Sequence, residues 1–525
     1  MRVVHRFCQF LRDTSITAVA SRWGQGIVRD RRLSTGATPA EANDHFFRYT
    51  SGRWLYDEQL QLENRYVEFN IQALRHTAAH VLGSRCIEMS KVPEGFYNKV
   101  LSLKMEDGRE VLARIPNPNA GNPKHIVASE VATLDFARNV LHIPAPKVLA
   151  WSSPSLPQNP IGPEYMLMEK VQGCQLSEVW DNMSEAQRFG LIKSLVNIER
   201  KLASTEFAAY GSLYYKDTHP HGRNIIDRDA AMDDEVISKF ELGPTTERSF
   251  WEDEKKELDL DRGSWNSAQE YLSAVAKREI AIIRSPCSRK TKGNPISSRI
   301  ISSRPDIHVQ HLEQFLAVLA YILPPEELSR PVLLHHDLHA GNIFVDHADP
   351  TKISGIIDWQ TAHTAPLFMQ AKFPSIIECH DAYPWGAVQP SLPNDYDNLP
   401  ESERTLASEQ LDRVRLKKYY ELASRKFNPL LVKAMDFMRR DEDPTTFIFH
   451  IVGRSSLDGP IPIKEILIQV YEKWDQIMRR NGLDIPCPIS FSEDEIKATR
   501  QLVQTWAELY AEFDRLRLEN TGKDG

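Results

Sequence analysis

The sequence predicts an α+β chain in two lobes, a small β-rich lobe followed by a larger, mainly helical one. Three observations predict it. The chain has 525 residues, more than one ordinary domain holds. Two short β-rich runs, 98–104 and 110–115, flank Glu106-Asp107-Gly108, which is a hairpin signal. After Asp358 the texture is helical to the end, apart from a Pro-rich link from Pro384 to Pro400. Hydrophobic residues at 41% and charged residues at 26% belong to a folded protein. A net charge of −8 argues against generic nucleic-acid binding. No apolar run approaches the roughly 18 residues of a membrane span. The six cysteines are scattered singletons, so neither a zinc site nor a disulfide framework is indicated.

Taken in order, the first 35 residues hold seven Arg, no Lys and two acids. On a helical wheel Arg2, His5, Arg6, Gln9 and Arg12 oppose Val4, Phe7, Cys8 and Leu11. That Arg-rich, acid-poor amphipathic start is the composition of a mitochondrial transit peptide, with a plausible cut near Arg31-Arg32-Leu33-Ser34-Thr35. Leu60, Tyr66, Val67, Ile71, Leu74 and Val81 recur near helical spacing and predict a helix over 56–82. The hairpin follows, then a helix over about 124–141. A buried strand, 165–169, ends at a turn near Gly173. Ser184 and Gln187 open a helix by a capping box, running to about Leu202.

Between Asp227 and Arg262 there are thirteen acids against six bases, and from Arg284 to Arg304 six bases and no acid. These blocks flank a helix over 269–283 and read as a solvated insertion without chemistry. The organisation is therefore a transit peptide over 1–35, a helical extension over 36–82, a small lobe over 83–171 and a large lobe over 172–525. The large lobe carries a polar loop region at 331–360 and the charged insertion at about 227–306.

That loop carries the chemistry. An apolar strand from Pro331 enters His335-His336-Asp337-Leu338-His339-Ala340-Gly341-Asn342 and leaves as a second strand; another strand, 353–357, ends on Asp358-Trp359. Phosphoryl transfer needs metal ions across the phosphates and a group that orients the attacking hydroxyl. Magnesium takes oxygen ligands, which one carboxylate and one amide supply. A further carboxylate accepts the hydroxyl proton. His-x-Asp-x-x-x-x-Asn, with an Asp closing a later strand, is the spacing of kinase catalytic and metal-binding loops. It assigns Asp337 as base, Asn342 and Asp358 as magnesium ligands, and His335 as a buttress. A zinc pair drawn from His335, His336 and His339 has no third ligand at regular spacing.

The segment 335–342, followed by Ile357-Asp358-Trp359-Gln360, resembles the signature of the aminoglycoside phosphotransferase and choline-kinase-like group. Phe47-Arg48-Tyr49-Thr50-Ser51-Gly52-Arg53-Trp54 is similar to the start of its fungal "altered inheritance of mitochondria protein nine" branch. The resemblance implies a bilobal protein-kinase-like fold and use of ATP with Mg2+. It also implies a glycine-bearing turn over the phosphates, which places Gly95 and Asn98 of Glu94-Gly95-Phe96-Tyr97-Asn98-Lys99 near the nucleotide, ahead of the first strand. The family's strand lysine is replaced here by Arg114, with Glu130 on the following helix as its partner. Glu169 and Val171 stand at the hinge, where backbone groups would meet the adenine.

The leading expectation is a mitochondrial, magnesium-dependent phosphotransferase that moves the γ-phosphate of ATP to a hydroxyl of a small molecule. The acceptor is not readable, and Glu378, Asp381, Asp395 and Asp397 receive no role. Arg114 and the single glycine also support a nucleotide-binding scaffold with little catalysis. A protein kinase is disfavoured, because no Ala-Pro-Glu closes a segment after Asp358.

Overall fold

The computed structural model describes residues 39–54, 57–154, 159–218, 222–225, 234–285, 304–379, 383–440 and 443–521. The basic N-terminus, most of the basic block after Arg284, and Asp381 lie outside the described residues.

The N-terminal extension forms three helices, α1 (Pro39–Phe47), α2 (Glu58–Glu63) and α3 (Ile71–Leu82). The single helix expected over 56–82 is thus broken. Leu60, Tyr66 and Val81, which made its periodicity, are exposed rather than inward-facing. Arg65 leaves the helical path to donate from Nε to the Phe96 carbonyl (3.2 Å). Asn70 then caps α3, its side chain accepting from Ala73 N–H (3.0 Å).

Five antiparallel strands build the small lobe: β1 (Cys86–Val92), β2 (Asn98–Met105), β3 (Glu110–Pro116), β4 (Val148–Ser152) and β5 (Tyr165–Glu169), in the order β1-β2-β3-β5-β4. The hairpin and β5 are where the sequence predicts them. β1 is an additional strand, so the Gly95 turn lies between the first and second strands rather than ahead of the first. β1 was hidden because it is an edge strand with a single buried residue and no apolar alternation.

Strand alternation gives the sheet two faces. Leu101, Leu103, Ala113, Ile115 and Leu167 pack beneath Leu74 and Ala78 of α3. Leu112, Met166 and Met168 join the opposite core, against α4 (Ile126–Asp135). Every residue of α4 from Ile126 to Leu134 is buried, Glu130 included. The helix continues as a π-turn, Phe136–Val140.

The large lobe opens with β6 (Cys174–Gln175) and α5 (Glu185–Ser204), whose Ser184–Gln187 capping box is formed on both sides. β7 (Ser212–Tyr215), β8 (Arg223–Asn224) and β9 (Phe240–Gly243) make a small sheet in the order β7-β9-β8. Two long helices follow, α6 (Ala268–Arg284) and α7 (Pro305–Ile322), packed on each other. The expectation of a solvated insertion fails over 240–285. Phe240, Leu242, Phe250, Trp251, Trp265 and Tyr271 enter the main core. Its acids are numerous, but they are interleaved with large apolar groups whose burial outweighs the charge pattern.

The loop region is framed by β10 (Pro331–Leu333), β11 (Ile343–Val345), β12 (Ile353–Ile356) and β13 (Thr364–Pro366). β10 pairs with β13, while β11 lies between β12 and β6. After an irregular stretch over 383–400 the chain is mainly helical, with α8 (Glu401–Phe427), α9 (Pro429–Met438), α10 (Pro460–Glu472) and α11 (Glu493–Thr521) as its long helices. Among the described residues, no helix is long and apolar enough to cross a membrane.

Candidate active site

The loop between β10 and β11 is held by its own histidines. His335 Nδ1 accepts from Asp337 N–H (3.2 Å), and its Nε2 bonds the Ile357 carbonyl (2.9 Å). One ring therefore fixes the loop to the residue preceding Asp358. Ile357 N–H donates in turn to the Asn342 carbonyl (3.0 Å). Burial first of all lowers the basicity of His335 and favours the neutral ring that this bonding requires. Trp359 is fully buried against it, the rings 4.8 Å apart at 75°. Asp337, Asn342 and Asp358 thus share one hydrogen-bonded frame, although Asp358 arrives on a different strand.

Asp337 keeps its carboxylate half-exposed, with His339 Nε2 at 3.6 Å. His339 Nδ1 accepts from Gly341 N–H (3.0 Å), which leaves the proton on the nitrogen facing Asp337. A Cβ at Gly341 would meet the His339 ring at 2.9 Å, so the glycine keeps that space open. Asn342 donates from Nδ2 to the Asp337 carbonyl (2.9 Å), leaving Oδ1 as the amide's available oxygen donor. Asp358 adopts a left-handed backbone, φ 61°, which is unusual for a non-glycine residue. Among the described residues no group of three His, Cys, Asp or Glu side chains is placed to hold a metal. An amide oxygen with a carboxylate suits magnesium, which completes its shell with water and substrate phosphates.

Arg114 reaches both Glu130 and Asp358. Its Nη2 forms an ion pair with Glu130, and its Nη1 lies 3.4 Å from Asp358 Oδ1. Burial pushes the Arg114 pKa down; Asp358 and Glu164 push it up, and Arg248 down again. Glu164, just before β5, is buried enough to hold its proton to about 9.

The remaining expected positions are placed as follows. Gly95 sits in the β1–β2 turn with open space where a Cβ would be. Asn98 donates from Nδ2 to Gln360 Oε1 (2.8 Å), both side chains buried, which joins the turn to the segment after Asp358. Glu169 points its carboxylate back to Lys147 N–H (3.2 Å) and Arg138 (3.4 Å). Val171 rests on Gly355, where an added Cβ would meet it at 2.4 Å.

Several participants received no role from the sequence. Gln360 is one. His336 stacks on His363, with centroids 4.4 Å apart at 18°, and His363 faces Glu247 at 3.6 Å. Burial raises Glu247, but His363, Arg278 and the hydrogen bonds from Ser249 and Tyr271 together hold its carboxyl below the usual range. Arg248, the next residue, lies over the Tyr97 ring at 3.4 Å. Only the position of Gln360 directly after Asp358-Trp359 carried any signal.

The profile of the phosphotransferase enzyme family matches residues 297–369. A subtelomeric hrmA-associated cluster protein of Aspergillus fumigatus is 31% identical, over 82% of this chain and 87% of its own. The Yarrowia lipolytica protein named "Altered inheritance of mitochondria protein 9, mitochondrial" is 22% identical, over 88% of this chain and 82% of its own. The mitochondrial placement read from the N-terminus agrees with that name. Among solved structures, the ADP-bound aminoglycoside phosphotransferase APH(2'')-Ib aligns at 14% identity and a TM-score of 0.36, over 84% of this chain and 99% of its own.

Proposed function

The chain belongs to the phosphotransferase enzyme family, and from that premise we propose that it is a mitochondrial kinase of a small molecule, moving the γ-phosphate of ATP to a hydroxyl group. One observation carries the reading: His335 and Asn342 tie the Asp337 loop to Asp358, so that the base and both metal donors form one unit. Asp337 accepts the proton of the acceptor hydroxyl as its oxygen attacks the γ-phosphorus and ADP leaves. His339 orients that carboxylate. Asn342 Oδ1 and Asp358 would hold magnesium, which supplies neutralising charge to the phosphates when bound. Arg114, steadied by Glu130, provides a fixed cation for the polyphosphate.

A second reading, a nucleotide-binding scaffold, is favoured by the Arg114–Asp358 contact, which occupies the metal carboxylate with a guanidinium. ATP binding with and without magnesium separates the two, measured on the parent chain, Asp358→Ala and Asp337→Ala. The kinase reading expects magnesium-dependent binding that weakens about ten-fold or more in Asp358→Ala and survives in Asp337→Ala. Binding that ignores both magnesium and Asp358 would leave the scaffold reading.

A further inference from the structure

The charge of Arg114 is already answered by two carboxylates, Glu130 and Asp358. Arg248 has no such answer. Among the described residues no ion pair joins it to a carboxylate, and its Nε is buried without a hydrogen-bond partner. Its guanidinium is nevertheless fixed, stacked 3.4 Å over Tyr97 at the end of the Gly95 turn. It is also close enough to Arg114 for the two charges to oppose each other.

The neighbours of Arg248 are pinned from behind. Glu247 Oε2 accepts from Tyr271 (3.1 Å) and faces His363. Ser249 bonds Glu247 and accepts from Arg278 Nη1 (2.6 Å). Arg278 is buried in α6 and also donates to the Gly453 carbonyl (2.7 Å). This framework holds the 247–249 segment rigid while Arg248 reaches the turn. A half-buried guanidinium held on a ring, with no carboxylate partner and a second guanidinium within electrostatic reach, forms a site that an anion completes.

We propose that Arg248 is a second phosphate-binding cation of this site, delivered by the charged insertion to the glycine turn, and that its ligand is a polyphosphate, the nucleotide's own in the phosphotransferase reading on which this rests. A planar fork can donate to two phosphate oxygens while its face stays on Tyr97. Tyr97 would then couple the turn to phosphate occupancy.

The test compares binding of Mg-ATP, inorganic tripolyphosphate and adenosine by the parent chain, Arg248→Gln, Arg248→Lys and Tyr97→Leu. The expected result is that Arg248→Gln weakens ATP and tripolyphosphate about ten-fold or more and leaves adenosine unchanged. Arg248→Lys should retain part of both affinities, and Tyr97→Leu should weaken both less than Arg248→Gln does. Unchanged ATP and tripolyphosphate affinity in Arg248→Gln, or an equal loss for adenosine, overturns the proposal. Arg248-dependent tripolyphosphate binding by a chain that ignores ATP sustains this site and sinks the kinase reading. A parent chain that binds neither anion overturns both.

Discussion

Arg114 and Glu130 are a buried ion pair, and such pairs matter most when one partner is removed. The Glu130 side chain is 1% exposed and that of Arg114 7%. Arg114→Met strands a carboxylate inside the small lobe and is expected to cost about 3–5 kcal/mol of stability. Adding Glu130→Leu should recover most of it, as a double-mutant cycle in urea would measure. The pair was legible because the two residues lie sixteen apart, on an adjacent strand and helix. Asp337 and Asn342 were legible for the same reason, being five apart in one loop. Asn98 and Gln360 are separated by 262 positions, and no local pattern marks such a contact. Arg248 was passed over because one of six bases among thirteen acids reads as surface charge until Tyr97 is seen beneath it.

At the level of elements, the sequence located strands and helices that carry dense apolar runs or a local turn or cap signal, and failed where burial is shallow. β2 and β3 flank a hairpin turn, β5 is a continuous apolar run, and α5 begins at a capping box visible in four residues. β1 has one buried residue and no apolar alternation, and the α2–α3 break leaves in solvent apolar residues whose spacing is helical. The meeting of β5 and α4 has a testable pH signature in Glu164. Burial raises its folded pKa from the usual 4.5 to about 9. Below 4.5 both folded and unfolded states hold the proton. Between 4.5 and 9 only the folded state does, so stability is lost as pH rises through this window. The loss by pH 7 is at most roughly 3 kcal/mol. Glu164→Gln, which keeps an acceptor for the Val127 N–H, should flatten this slope and raise the melting temperature at pH 8. A variant with an unchanged pH profile would show that Glu164 ionises in the folded protein.

On the scale of the whole molecule, the small lobe is a sheet covered on both sides, by the extension outside and by α4 inside. A chain beginning at residue 83 would uncover Leu101, Leu103, Ala113, Ile115 and Leu167 together, a continuous apolar face. Such a chain is expected to aggregate under conditions that keep the chain lacking residues 1–35 monomeric, as light scattering would report. The extension does more than cover the sheet. Thr50 N–H donates to Glu94 Oε1 (2.9 Å), Glu94 N–H to Ser51 Oγ (2.7 Å), and Lys91 Nζ to the same carboxylate (3.1 Å). Lys99 lies 3.5 Å from its other oxygen, fully buried, and burial brings its pKa down to about 8. Glu94 adjoins Gly95, so the Gly95 turn hangs from residues that precede the lobe. For anyone handling the protein this is a rule of construction. A tag or fusion inserted between α1 and α2 is expected to disturb the turn through Thr50 and Ser51, whereas the same cargo carried behind α11, which packs on α10 in the large lobe, should leave it unchanged.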